Sequence, residues 1–122
     1  MLCHCLECRK VSGSAFTTNL VVPKTAFKIT GEVKEYRFIQ EMGGEWELHF
    51  CPTCGSNLYR TTTREDLSTV VAVEGGTLSK EAFGDIKPEE EIFAKYRASW
   101  LGASPETVLV EAQACKVVEP AA

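Results

Sequence analysis

Five of the six cysteines fall in two short runs, Cys3-His4-Cys5-Leu6-Glu7-Cys8 and Cys51-Pro52-Thr53-Cys54-Gly55, with none in between. A C-x-x-C followed by glycine is a zinc-knuckle shape: both thiolates reach one ion from a tight turn, and glycine admits backbone angles that a side chain would block. Four sulfurs close a structural zinc site, whereas three leave a position for water or substrate. Five cysteines cannot all serve one tetrahedral ion, and two arrangements stay open. In one, Cys5, Cys8, Cys51 and Cys54 form a single closed site, which requires residues 3–8 to lie near residues 51–54, and Cys3 is spare. In the other, Cys3, Cys5 and Cys8 hold a separate ion with an open position, and Cys51 and Cys54 need two further ligands.

Metal is the preferred reading because the compartment is expected to be reducing. The N-terminus has no basic-then-apolar signal pattern, so the expected location is cytoplasmic, where disulfides are rare. No apolar run approaches the roughly 20 residues of a membrane span, so no membrane partner is expected. The formal net charge of -4 argues against nucleic acid as a partner, since there is no basic stripe to displace phosphate counterions. A length of 122 residues fits one domain, residues 1–122.

The segments between the cysteines read as short strands punctuated by Gly and Pro, an all-β pattern in which helix is scarce. Residues 15–22 are rich in β-formers and stop at Pro23. Phe27–Thr30 reads as a second strand and Val33–Ile39 as a third, the latter with imperfect alternation. Trp46 to Phe50 alternates cleanly, which sends Trp46, Leu48 and Phe50 inward and leaves His49 on the polar face as a surface histidine. Leu58–Thr62 resumes a strand, so the second cysteine run is the turn of a hairpin. Val70–Val73 reads as a buried strand, and Leu78–Phe83 as a turn of helix beginning at Ser79-Lys80-Glu81. Residues 88–100 read as irregular chain carrying Ile92, Phe93, Tyr96 and Trp100 against the core, and Val108–Val110 as a last strand or helix. His4 alternates away from its flanking cysteines, which predicts a supporting or core role rather than ligation. Cys115 stands alone and reads as a small buried hydrophobe. Arg9-Lys10-Val11-Ser12-Gly13-Ser14 reads as a polar loop beside the metal, with small residues and two cations suited to an anionic ligand.

The run CHCLECRKVSGSAF at Cys3–Phe16 resembles the signature of the glutathione-dependent formaldehyde-activating enzyme family, which includes centromere protein V. Further matches follow in order: Pro23 and Phe27, Gly31, Tyr36, FCPTCGSNLY at Phe50–Tyr59, Gly76-Thr77-Leu78, and Pro88 with Glu91-Ile92-Phe93 before Trp100. The resemblance covers about residues 3–101. It implies a zinc-bound β-tent, the all-β fold shared with an accessory protein of Rab GTPases. It also implies that Cys3, Cys5 and Cys8 hold a catalytic zinc, with Cys51 and Cys54 as half of a structural zinc site. In the family the other half lies on a C-x-C-G strand upstream of the C-H-C block. No such strand precedes Met1, so the sequence is either cut short or that of a naturally short member. The acidic residues that usually follow Gly-Thr-Leu are replaced by Ser79-Lys80.

The implied activity is a zinc-dependent carbon–sulfur lyase reaction on a small-molecule thiol adduct of an aldehyde, with formaldehyde and glutathione as the named pair. Arg9 and Lys10 would meet a glutathione carboxylate, and the Ser12-Gly13-Ser14 backbone would approach the ligand. The alternative class is a zinc-stabilised binding module, or a degenerate member, without catalysis.

Overall fold

The computed structural model describes residues 1–110, so Cys115 lies outside the described residues. Eight strands and two short α-helices make an all-β chain, as the sequence predicts. The strands are β1 (Leu2–Cys3), β2 (Thr17–Pro23), β3 (Lys34–Ile39), β4 (Glu45–Phe50), β5 (Asn57–Thr62), β6 (Val70–Glu74), β7 (Glu90–Ile92) and β8 (Val108–Val110), with helices α1 (Leu6–Ser12) and α2 (Lys80–Asp85). Their hydrogen-bonded order is β3-β4-β5-β6-β2-β1-β7-β8. The described residues fall into two compact units, residues 1–19 with 78–110 and residues 20–77.

The unit of residues 20–77 is an antiparallel meander. β3 pairs with β4, β4 with β5, and β5 with β6. Directly opposed residues of an antiparallel pair share a face, so the ladder sorts the side chains into two sets. On one face Phe38 lies beside Trp46 and Tyr36 beside Leu48, and β5 adds Arg60 and Thr62. Phe38, Trp46 and Leu48 are buried there, as the alternation of β4 predicts. The same face buries an ion pair, Arg60 Nε to Glu74 Oε1 at 2.8 Å. β3 is an edge strand, and Phe38 is its one buried residue, which explains its imperfect alternation.

The opposite face corrects the reading of His49. It is 6% exposed rather than a surface residue. Its cross-strand partner Tyr59 lies flat on the imidazole, with ring centroids 4.2 Å apart and planes 9° from parallel. Phe27 packs on Tyr59 in turn, at 4.8 Å. That contact also accounts for the second correction: Phe27–Thr30 is not a strand. Lys24–Ala26 forms a 3₁₀ turn, closed by the Phe27 N–H on the Lys24 carbonyl, and the Phe27 ring then packs on Tyr59.

In the unit of residues 1–19 and 78–110, β1 runs antiparallel to the start of β2 and parallel to β7, which is parallel to β8. Residues 88–100 are therefore partly regular: Glu90–Ile92 is a strand, placed by pairing with β1. Its core is Cys3, Cys5, Cys8, Ile92 and Phe93, with Met1, Tyr96 and Val110 packed against it. Trp100 is not in that core; it is 77% exposed. α2 starts where the sequence places it, with the Ser79 hydroxyl accepting from the Ala82 N–H. No helix among the described residues is long and apolar enough to cross a membrane.

Candidate metal centre

Residues 9–12 are helix rather than loop, and only Gly13 and Ser14 form a turn beyond it. α1 spans Leu6–Ser12 and is organised by the cysteines themselves, since the Cys5 sulfur caps it by accepting from the Cys8 N–H at 3.2 Å. Gly13 ends it in the left-handed region at φ 62, the ordinary glycine terminus of a helix. The signals were in the sequence: Glu7 in the first turn, Arg9 and Lys10 in the last, then Gly13. The helical turn carries Cys8 back towards Cys5, while β1 carries Cys3.

The three sulfurs converge. Cys5 Sγ donates to Cys8 Sγ at 2.9 Å, and Cys8 Sγ donates to Cys3 Sγ at 3.2 Å. All three residues are buried. Among the described residues, Cys3, Cys5 and Cys8 form one of two groups of three or more ligand-type side chains whose atoms lie within 4.8 Å of one another. Without a cation, ionisation of Cys3 and Cys5 is disfavoured. Hydrogen bonds with Cys5 and Cys8, then burial, push the Cys3 thiol well above its ordinary value. For Cys5, the hydrogen bond from Cys3 acts downward, but the Cys8 sulfur and burial outweigh it and push the thiol up to about 11.

A divalent ion would reverse that balance by holding all three as thiolates. Sulfurs at about 2.3 Å from a tetrahedral zinc lie about 3.8 Å apart, so the observed spacing fits zinc with an outward shift of under about 1 Å. Three thiolates leave the fourth position open.

His4 supports the connection between β1 and α1, as its alternation predicts. Its Nε2 is 2.9 Å from Glu91 Oε1, and the two side chains are 0% and 1% exposed. The second Glu91 oxygen accepts from the Ser104 N–H at 2.9 Å and the Thr107 hydroxyl at 2.8 Å. Burial pushes the Glu91 carboxyl up, but the hydrogen bonds from Thr107, His4 and Ser104 together hold it below the ordinary carboxylate value. Phe93 closes the cluster. It is fully buried with φ 54, a left-handed conformation unusual for a bulky side chain. The sequence reading missed the roles of Glu91, Ser104 and Thr107, because nothing in residue spacing ties them to His4.

The other proposed ligand-contacting residues lie on α1 and just beyond it. Arg9, Lys10, Ser12, Gly13 and Ser14 are exposed. Lys10 Nζ is 3.9 Å from Glu7. The Ser12 hydroxyl donates to the Cys8 carbonyl at 2.6 Å and accepts from the Ser14 N–H at 3.2 Å, which stiffens the end of the helix behind the triad.

Cys51 and Cys54 lie in the unit of residues 20–77, at the turn between β4 and β5. The Cys51 N–H donates to the Ser56 carbonyl and the Gly55 N–H to the Cys51 carbonyl, both at 2.9 Å. Gly55 sits at φ 76, as a knuckle requires. Cys51 is half-buried and Cys54 exposed, and both line a cleft of about 500 Å³ with Ile29, Val33 and Leu58. Hydrogen bonds from Ser56, then Cys51, lower the Cys54 thiol below its ordinary value.

A search of curated proteins gives no significant match. Comparison with known families matches residues 1–96 to one described as the glutathione-dependent formaldehyde-activating enzyme. That match spans both cysteine runs and most of the chain, so the protein belongs to the glutathione-dependent formaldehyde-activating enzyme family.

Proposed function

We propose that the protein is a zinc-dependent enzyme of the carbon–sulfur lyase type. Its substrate would be the adduct of an aldehyde with glutathione or another small thiol, as in the reversible joining of formaldehyde and glutathione. The observation that carries this reading is the buried Cys3–Cys5–Cys8 triad, three mutually close sulfurs in a protein of this family. When bound there, zinc supplies a positive charge that favours a substrate thiolate or polarises an aldehyde oxygen.

The chain's own residues do the rest. Cys3, Cys5 and Cys8 hold the ion, and burial of their sulfurs limits the access of water to them. His4, fixed by Glu91, keeps the Cys3–Cys5 connection between β1 and α1 in place. Arg9 and Lys10 offer cations to the carboxylates of a glutathione-like thiol, and the Ser12-Gly13-Ser14 turn offers exposed backbone beside them. In the forward direction the thiol loses its proton, sulfur forms a bond to the carbonyl carbon, and the former π pair on oxygen takes up a proton. The addition is redox-neutral.

Zinc content and turnover of S-hydroxymethylglutathione, measured side by side for Cys3→Ser, test the proposal. Loss of both with a retained β circular-dichroism spectrum is expected. Full metal retention with unchanged turnover overturns it. Stoichiometric zinc in the parent protein with no turnover of any thiol adduct favours a zinc-stabilised binding module instead.

A further inference from the structure

The second group of close ligand atoms is Glu35, Glu47 and His49, on the β3–β4–β5 face that buries His49, two residues before Cys51. Two cross-strand rows make up this face: Glu35, His49 and Tyr59, then Arg37, Glu47 and Thr61. Arg37 takes one oxygen from each carboxylate, Glu35 Oε2 at 3.6 Å and Glu47 Oε1 at 3.3 Å, and also reaches Glu45 at 3.6 Å. The remaining oxygens face the imidazole: Glu35 Oε1 is 3.7 Å from Nδ1, and Glu47 Oε2 is 3.7 Å from Nε2.

The Thr61 hydroxyl donates to Glu47 Oε2 at 3.3 Å, and its oxygen lies 3.2 Å from His49 Nε2. Nδ1 is buried and has no hydrogen-bond partner. It faces a carboxylate oxygen across 3.7 Å, too far for a shared proton. A metal ion about 2.1 Å from each atom spans that gap in a bent bridge. Three carboxylates less one guanidinium leave two negative charges, the complement of a divalent cation. An imidazole that ligates through one nitrogen and donates through the other to a hydroxyl–carboxylate pair is the usual arrangement behind a metal. The carboxylates are also felt nearby: burial first, then Glu35 and Glu47, raises the Tyr59 hydroxyl above its ordinary value.

We infer that His49 Nδ1 and Glu35 Oε1 hold a second metal site, distinct from the Cys3–Cys5–Cys8 triad and backed by Glu47 through Thr61, for a divalent first-row transition ion of the carboxylate- and imidazole-binding class. The site is separate from the proposed reaction and does not rest on it.

The experiment is a Mn²⁺ titration of the full-length protein followed by electron paramagnetic resonance, since Mn²⁺ suits carboxylate and imidazole and is disfavoured by thiolates. Uptake of one Mn²⁺ per chain is expected, unchanged in Cys3→Ser and weakened about tenfold or more in Glu35→Gln. Glu35 is 42% exposed, so its replacement leaves the fold intact, and His49→Gln serves as the second variant. Absence of uptake up to about 1 mM Mn²⁺, or uptake that neither Glu35→Gln nor His49→Gln weakens, overturns the inference.

Discussion

His4 and Glu91, 87 residues apart in sequence, meet at 2.9 Å with both side chains sealed from solvent. The contact ties β7 to the connection between β1 and α1 that carries Cys3 and Cys5. The far side of the carboxylate is held by Ser104 and Thr107, which lie beyond the family match at residues 1–96.

Removing that carboxylate strands several partners at once. Glu91→Ala leaves the buried His4 Nε2 and the part-buried Ser104 N–H without their partner, while the Thr107 hydroxyl keeps the Ser104 carbonyl, and each stranded group costs about 1–3 kcal/mol. A loss of about 3–5 kcal/mol in urea unfolding is expected, with Glu91→Gln milder because an amide oxygen still accepts from Ser104 and Thr107. Equal stability of Glu91→Ala and the parent would show that the network carries no weight.

The same carboxylate sets an acid limit. Its folded pKa lies below the ordinary value of 4.5, so its contribution is fully present above that value and is lost as pH falls through the lowered one. Stability of the parent should therefore drop below about pH 4.5 more steeply than that of Glu91→Gln, in denaturant melts taken from pH 5 to pH 2. Parallel curves would refute the assignment.

Thiol reactivity should divide the cysteines. Cys54 is exposed with a lowered pKa, while Cys3 and Cys5 are buried with raised ones. In metal-free protein, iodoacetamide should label Cys54 first and Cys3 and Cys5 last, read by peptide mass spectrometry. Added zinc should protect the triad further.

Phe93 fills the space beside the three sulfurs. Truncation to alanine should cost about 3–5 kcal/mol and loosen the triad. Faster zinc transfer to a chromophoric chelator would report the second effect. A stability loss without faster transfer would mean that Phe93 supports the core but not the metal centre.

In the other unit, Arg60 and Glu74 are a buried ion pair. Glu74→Ala removes the carboxylate paired with a buried guanidinium and should cost about 3–5 kcal/mol. Replacing both residues with apolar side chains should recover much of that, and a double variant no better than the single would argue against charge burial as the cause.

The sequence by itself determined whatever depends on neighbours along the chain. The spacing of Cys3, Cys5 and Cys8 keeps three sulfurs close along the chain but left Cys3 either a ligand or spare, and the fold is what brings all three together. The alternation of Trp46 and Leu48 gave the buried face of β4, Cys51-Pro52-Thr53-Cys54-Gly55 gave the hairpin turn, and Ser79 gave the start of α2. The helix Leu6–Ser12 was readable too, from Glu7, Lys10 and Gly13, but was hidden by reading its residues as a ligand loop. Only the tertiary structure decided which polar side chains are buried, because burial is conferred by a partner from elsewhere. Alternation put His49 on a polar face, yet strand register set Tyr59 flat against it. Glu91 lay in a stretch read as irregular until the pairing of β1 with β7 set it against His4. Periodicity says which side of a strand a residue takes; what covers that side is settled only when the strands pair.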